Sequence, residues 1–234
     1  MLGPLVLIPG LACNELLFEP VVQALEGRID IHVADVRGPD TMEGLVEKVL
    51  SEAPAYFALA GLSMGGYIAL EIALRVPDMV TKLALLDTKI RPDTEAEKDA
   101  RRKLIELARN GEIDDVVDIL VPRLLHPDNV DDADLGRIIR IMAEETGTEA
   151  FIAQEEALLG RRDVSGLVGG IDAPTLILVG DADAITPPEA AEEMHEALPH
   201  SRLVTISHAG HLTTLEQPEA VADALSEFLQ LPLT

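Results

Sequence analysis

Two kinds of apolar run alternate along the first third of the chain and return near its end. Short continuous runs at 5–8, 29–34, 56–62, 82–87, 175–180 and 202–206 have strand length and little internal alternation. That is the pattern of strands buried on both faces of a sheet. Between the early runs, apolar residues recur at helical spacing. Asn14 heads a helix with Phe18, Val21, Val22 and Leu25 on one face and Gly27 at its end, and 41–52 reads as a second helix. Met64, Ile68 and Ile72 fall four apart in a third helix, which Pro77 closes. Strand alternating with helix predicts a parallel sheet covered on both sides.

This rhythm stops between 89 and 170, where only helical patterns occur. Thr94 and Glu97 form a capping box; Ile113, Val116, Val117 and Leu120 mark one amphipathic helix, Leu135, Ile138, Ile139 and Met142 another, and 151–159 a fourth. Gly or Pro at 111, 122, 127, 136 and 147 punctuates the stretch. The rhythm resumes at 175, with Thr186-Pro187-Pro188-Glu189 as a helix start capped by Thr186, and 217–230 as the last helix. The expected organisation is an α/β core made of 1–88 and 171–234, with about six mostly parallel strands. The segment 89–170 is expected to be an inserted helical cap.

The central strand runs into Gly61-Leu62-Ser63-Met64-Gly65 and straight on into a helix. So abrupt a change of direction cramps the serine's backbone and leaves no room for side chains two positions away on either side. Glycine at 61 and 65 answers that need. Alone, the five residues could be an ordinary Gly/Ser turn; the strand before and the helix after favour a nucleophile. Ligands of parallel sheets bind beyond the carboxyl ends of the strands. Ser63, Asp183 and His211 each follow a strand at that edge. Asp181 and Asp87 compete with Asp183 for an acid role, and His208 competes with His211 for a base. His32, His126, His195 and His200 have no supporting context, and Cys13 reads as a buried bystander.

Composition narrows the function. Among 234 residues, 42 Asp and Glu face 18 Lys and Arg, a net charge of −24. Such a surface repels nucleic acid and anionic membranes. Aromatic residues are 3% and Trp is absent, so Leu, Ile, Val and Ala must build the core. A single cysteine excludes an internal disulfide and a thiolate metal cluster. No apolar run approaches membrane-spanning length, and the first residues show no basic region, so a cytoplasmic protein is expected.

Leu7-Ile8-Pro9-Gly10, Gly61-Leu62-Ser63-Met64-Gly65-Gly66, Leu178-Val179-Gly180-Asp181-Ala182-Asp183-Ala184-Ile185-Thr186-Pro187-Pro188 and Ala209-Gly210-His211-Leu212-Thr213-Thr214-Leu215-Glu216-Gln217-Pro218-Glu219 together resemble the α/β-hydrolase family, in particular its small capped esterase-like members. The resemblance spans nearly the whole chain and is least specific in the cap. It implies a triad of Ser63, Asp183 and His211, with the backbone amides of Leu11 and Met64 as oxyanion donors. Gly10, Leu62, Ile185 and Leu212 are expected to line the substrate site. Pro9-Gly10 stands where the family often has His-Gly, and the family's first two strands are missing.

The expected activity is cleavage of a small, mostly apolar carboxylic ester or thioester. Lactonase, carbon–carbon hydrolase or lyase chemistry on the same triad is the alternative, with a non-catalytic binding role behind it. No metal or organic cofactor is expected. The expected partner is a small molecule, neither nucleic acid nor membrane, and the protein is expected to be a monomer or homodimer.

The excess of acidic charge predicts that screening relieves self-repulsion. The melting temperature should rise between low and molar NaCl, by about 3 °C for each kcal/mol of repulsion removed. An unchanged melting temperature, with sucrose as the non-ionic control, would count against this.

Overall fold

The continuous apolar runs become the strands of one sheet in the computed structural model, which describes residues 3–111 and 113–231. The strands are β1 (Leu5–Ile8), β2 (Ile31–Val33), β3 (Phe57–Leu62), β4 (Val80–Leu86), β5 (Thr175–Gly180) and β6 (Ser201–Ile206). All neighbours are parallel, in the order β2-β1-β3-β4-β5-β6. The alternation of side chains across the pleat divides the core in two. Val6, Ile8, Leu59, Leu85 and Ile177 face one layer; Leu5, Leu7, Ala60, Leu86 and Leu178 face the other. Helices α2 (Met42–Glu52) and α3 (Met64–Arg75) cover the first face, and α1 (Glu19–Ala24) covers part of the second. Each large aliphatic side chain buried here contributes about 1.5–3 kcal/mol.

Between β4 and β5 the chain forms α4 (Glu95–Arg109), α5 (Ile113–Leu124), α6 (Ala133–Thr146) and α7 (Thr148–Leu159). No strand interrupts them among the described residues. Helix α8 (Pro188–Ala197) joins the first layer; α9 (Thr213–Glu216) and α10 (Pro218–Leu229) complete the second. None of the described helices is long and apolar enough to cross a membrane.

Several local expectations need correction. The segment expected as one helix from Asn14 is a 3-10 turn at Glu15–Leu17 followed by α1. Pro20 has no N–H to continue the ladder and instead occupies the first turn of the new helix. Strand β2 at the sheet edge is only three residues long. Pro122 lies inside α5, at an exposed position in its last turn where one missing bond is tolerated. Thr186 does not cap α8: the N-cap is Pro187, without a side-chain bond.

The turn at Ser63 follows from steric contact. Ser63 has φ 55° and ψ −114°, outside the ordinary regions for a side-chain-bearing residue. A Cβ on Gly61 would lie 2.1 Å from the Gly65 carbonyl oxygen, and one on Gly65 would lie 2.0 Å from that of Ile8. Helix α3 can therefore start directly against the ends of β1 and β3. Strand order reverses between these two neighbours, so the turn stands at the topological switch point of the sheet.

Candidate active site

Four loops converge at the carboxyl edge of the sheet. Ser63 follows β3, Asp183 follows β5, His211 follows β6, and the Gly10-Leu11-Ala12 loop follows β1. His211 Nε2 lies 2.8 Å from Ser63 Oγ, and His211 Nδ1 lies 2.8 Å from Asp183 Oδ2. An ionised carboxylate only accepts, so Nδ1 carries the proton and the Nε2 lone pair faces the serine hydroxyl. His211 and Asp183 are both buried.

Asp183 receives several donors. Its Oδ1 accepts the Ile185 and Thr186 amides at 2.8 and 3.0 Å, and its Oδ2 accepts the Thr186 hydroxyl at 2.8 Å. Burial alone would raise its pKa. The electrostatic attraction and hydrogen bond of His211, with the Thr186 donors, outweigh burial and hold the carboxyl below its ordinary value. Thr186, expected as a helix cap, is thus recruited by the carboxylate.

Asp87, one strand away, is buried and bonds elsewhere. Its Oδ1 accepts the Gly180 amide at 3.0 Å and its Oδ2 accepts the Thr213 hydroxyl. Burial, then the charge of Asp183, pushes Asp87 well above the ordinary carboxylate range. Of two neighbouring buried carboxyls, one is held ionised and the other is driven toward the neutral form. Asp181 is an exposed turn residue that accepts the Ala209 amide at 3.3 Å. His208 is exposed and sets its ring edge-on to His126, 5.6 Å away.

The amides of Leu11 and Met64 have no acceptor among the described residues, and Met64 opens α3, where N–H groups lack helical partners. Gly10, Leu11, Leu62, Ile185 and Leu212 line a cavity of about 160 Å³ that also contacts Ser63 and His211. Leu104, Leu120, Ile139 and Met142, from the helices between β4 and β5, supply its apolar roof. Cys13 also lines it, its thiol pushed up to about 12 by burial and donating toward the Leu11 carbonyl. A thiol so held is inert at neutral pH.

Sequence reasoning missed the polar fastenings of this edge. Fully buried Gln154 on α7 accepts the Ala12 amide at 2.9 Å and donates to the Val36 carbonyl at 3.2 Å. Glu216 accepts the amides of Gly210 and His126, both at 2.7 Å, and the Leu124 carbonyl accepts the His211 amide at 2.8 Å. A polar residue one turn after Phe151, on the buried face of α7, was the available signal for Gln154. Three described residues have metal-ligand proximity, His126, Asp128 and His208, with ligand atoms within 4.8 Å of one another. His126 Nδ1 already accepts the Asp128 amide at 3.1 Å, and Asp128 and His208 are exposed.

A sequence profile described as the alpha/beta hydrolase family matches residues 5–224. The chain belongs to the alpha/beta hydrolase family. It is a hydrolase whose relatives include esterases. A pimeloyl-[acyl-carrier protein] methyl ester esterase of Neisseria meningitidis is 29% identical, over 96% of this chain and 92% of that protein. A malate-bound thermophilic esterase from Thermogutta terrifontis is 30% identical with a TM-score of 0.89, over 97% of this chain and 89% of that one. The enol-lactonase of Burkholderia xenovorans LB400 shares the fold, with a TM-score of 0.85 at 23% identity over 97% of this chain and 90% of its own.

Two outcomes test this geometry. Gln154→Ala leaves the partly buried Ala12 N–H and the buried Val36 C=O unpaired, and should lose about 1–3 kcal/mol of stability in urea titration. It should also lower kcat more than it raises KM. Asp87 holds a proton in the folded state where the unfolded state has lost it, so its contribution to stability falls as pH rises above the ordinary carboxylate value of 3.8. Asp183, depressed in the folded state, acts oppositely and only below that value. Asp87→Asn should therefore gain stability relative to the parent as pH rises above 3.8, and a difference that stays constant with pH would contradict this.

Proposed function

We propose that the chain is a serine hydrolase that cleaves a small, mostly apolar carboxylic ester or thioester through an acyl-enzyme on Ser63. The observation that carries this reading is the unbroken hydrogen-bonded series Ser63–His211–Asp183, opening into an apolar cavity beside two amides without an acceptor among the described residues. Esterase relatives that align over nearly the whole chain support it. The helices at 89–170 act as the cap, shaping the acyl site and excluding water.

In this mechanism His211 Nε2 takes the proton of Ser63 as Oγ attacks the ester carbonyl. The carbonyl oxygen gains the negative charge, which the Leu11 and Met64 amides receive. Asp183, ionised and aimed at Nδ1, stabilises the imidazolium. When the tetrahedral adduct collapses, the alkoxide or thiolate leaves with the proton from His211. A water that gives its proton to His211 then attacks the acyl-enzyme, and the acid is released as Ser63 recovers its hydrogen. The Asp183 charge would be less well placed if Thr186 did not fix both oxygens.

A series of chromogenic esters of increasing acyl length, run beside a serine-directed phosphonate with intact-mass readout, tests the proposal. Hydrolysis should favour the acyl lengths the cavity admits, with one phosphonate adduct at Ser63. Ser63→Ala should lose both at an unchanged melting temperature, with kcat falling at least about a thousandfold. Labelling without hydrolysis of any ester would shift the reading to lactone or carbon–carbon substrates, and neither signal would leave a binding role.

A further inference from the structure

Four charged residues line the otherwise apolar cavity: Glu97, Arg101, Arg123 and Glu155. Three belong to one neutralised network. Arg101 pairs with Asp93 and Glu155, Glu97 pairs with Lys89, and Arg161 pairs with Asp93. Three bases thus meet three acids, and no net charge remains there for a ligand.

Arg123 is different. It makes no ion pair or hydrogen bond among the described residues, whereas every other arginine in the chain has at least one partner. With acidic residues outnumbering basic ones 42 to 18, an arginine left without a carboxylate is conspicuous. Its place in the last turn of α5 suits the helix dipole, which is worth only about 0.3–1 kcal/mol at an exposed site. Arg123 is exposed to solvent and also lines the cavity, so its unpaired side chain is accessible to a ligand that enters there. Arg123 also directly precedes Leu124, whose carbonyl holds the His211 amide, and it lines the same cavity as Ser63 and His211.

A guanidinium is always charged and presents a planar fork matched to a carboxylate. A net charge of −24 would otherwise keep an anionic substrate away. We infer that Arg123 receives a carboxylate carried by the substrate, so that the preferred substrates are half-esters of short dicarboxylic acids: an apolar chain between the scissile ester and an anionic end. This rests on the esterase reading and assigns the chemistry of the substrate's other end.

The test compares mono-p-nitrophenyl glutarate with neutral p-nitrophenyl hexanoate, using the parent enzyme, Arg123→Ala and Arg123→Lys. The parent should favour the anionic ester by about tenfold or more in kcat/KM, the scale of one charge-assisted contact. Arg123→Ala should cut that preference about tenfold, mainly through KM, and Arg123→Lys should restore part of it. Half-molar salt should shrink the parent's preference. A parent that favours the neutral ester, or an Arg123→Ala loss equal for both esters, would overturn the inference. Calorimetric titration of glutarate into Ser63→Ala and Ser63→Ala/Arg123→Ala separates this from the esterase reading. If neither ester is hydrolysed, the esterase reading fails. Glutarate binding that weakens tenfold without Arg123 would still support the subsite, and binding that is absent or independent of Arg123 would reject it.

Discussion

At the centre of the active edge, backbone lies against backbone with no side chain between. Gly65 in the first turn of α3 leaves no room for a Cβ against the Ile8 carbonyl, and Gly61 leaves none against Gly65 itself. This approach holds Ser63 in its unusual conformation, and the Thr88 hydroxyl braces it by donating to the Ser63 carbonyl at 2.9 Å. It also brings the end of β1 beside the start of α3, so that the amides of Leu11 and Met64 come from adjoining segments. A bulkier residue at 61 or 65 would push the helix from the sheet and separate the serine and the Met64 amide from the Leu11 amide. The strain at Ser63 is affordable because fully buried strands on either side of the turn fix the chain before and after it.

Electrostatics at this edge depends on keeping two neighbouring carboxyls unlike each other. Asp87 and Asp183 are both buried and repel when both are charged. Asp183 has His211 and the Thr186 donors, all favouring the ion. Asp87 has the Gly180 and Thr213 amides and the Thr213 hydroxyl, too little to offset burial beside another negative charge. The division leaves the carboxylate next to the histidine undivided in its partner. A neutral Asp87 still ties β4 to β5 through Gly180 and to α9 through Thr213, so it serves the framework.

Much of the fold could be read along the chain because its cues are local. Continuous Leu/Ile/Val runs marked the inner strands, and the helical block at 89–170 stood out by lacking any. Errors arose where two local cues conflicted. Asn14 and the apolar face at 18–25 suggested one helix, but Pro20 divides it. Thr186 has the chemistry of a cap and stands just before two prolines, yet a buried carboxylate three residues earlier takes its hydroxyl. That Ser63, Asp183 and His211 would meet was legible because each follows a strand whose end the sheet brings to one edge. Gln154, Glu216 and Arg123 were not, because their meaning lies in partners, or in the lack of one, far along the chain. Gln154 meets Ala12 across 142 residues, and no periodicity carries that information.

These distant contacts make the helical segment more than a roof. Gln154 fastens α7 to the loop after β1, the Leu124 carbonyl fastens the end of α5 to the His211 amide, and Glu216 draws the residues after α5 onto the same histidine loop. The helices that wall the cavity therefore share their anchors with the groups around the reacting centre. A displacement of α5 would move Arg123 and the backbone at His211 together, while a displacement of α7 would move the Gln154 anchor together with the balanced Arg101–Glu155 wall. On the proposed reading, substrate fit and reactive geometry are thus mechanically linked, because a side chain that receives the remote end of a substrate shares its helix with an anchor of the histidine loop.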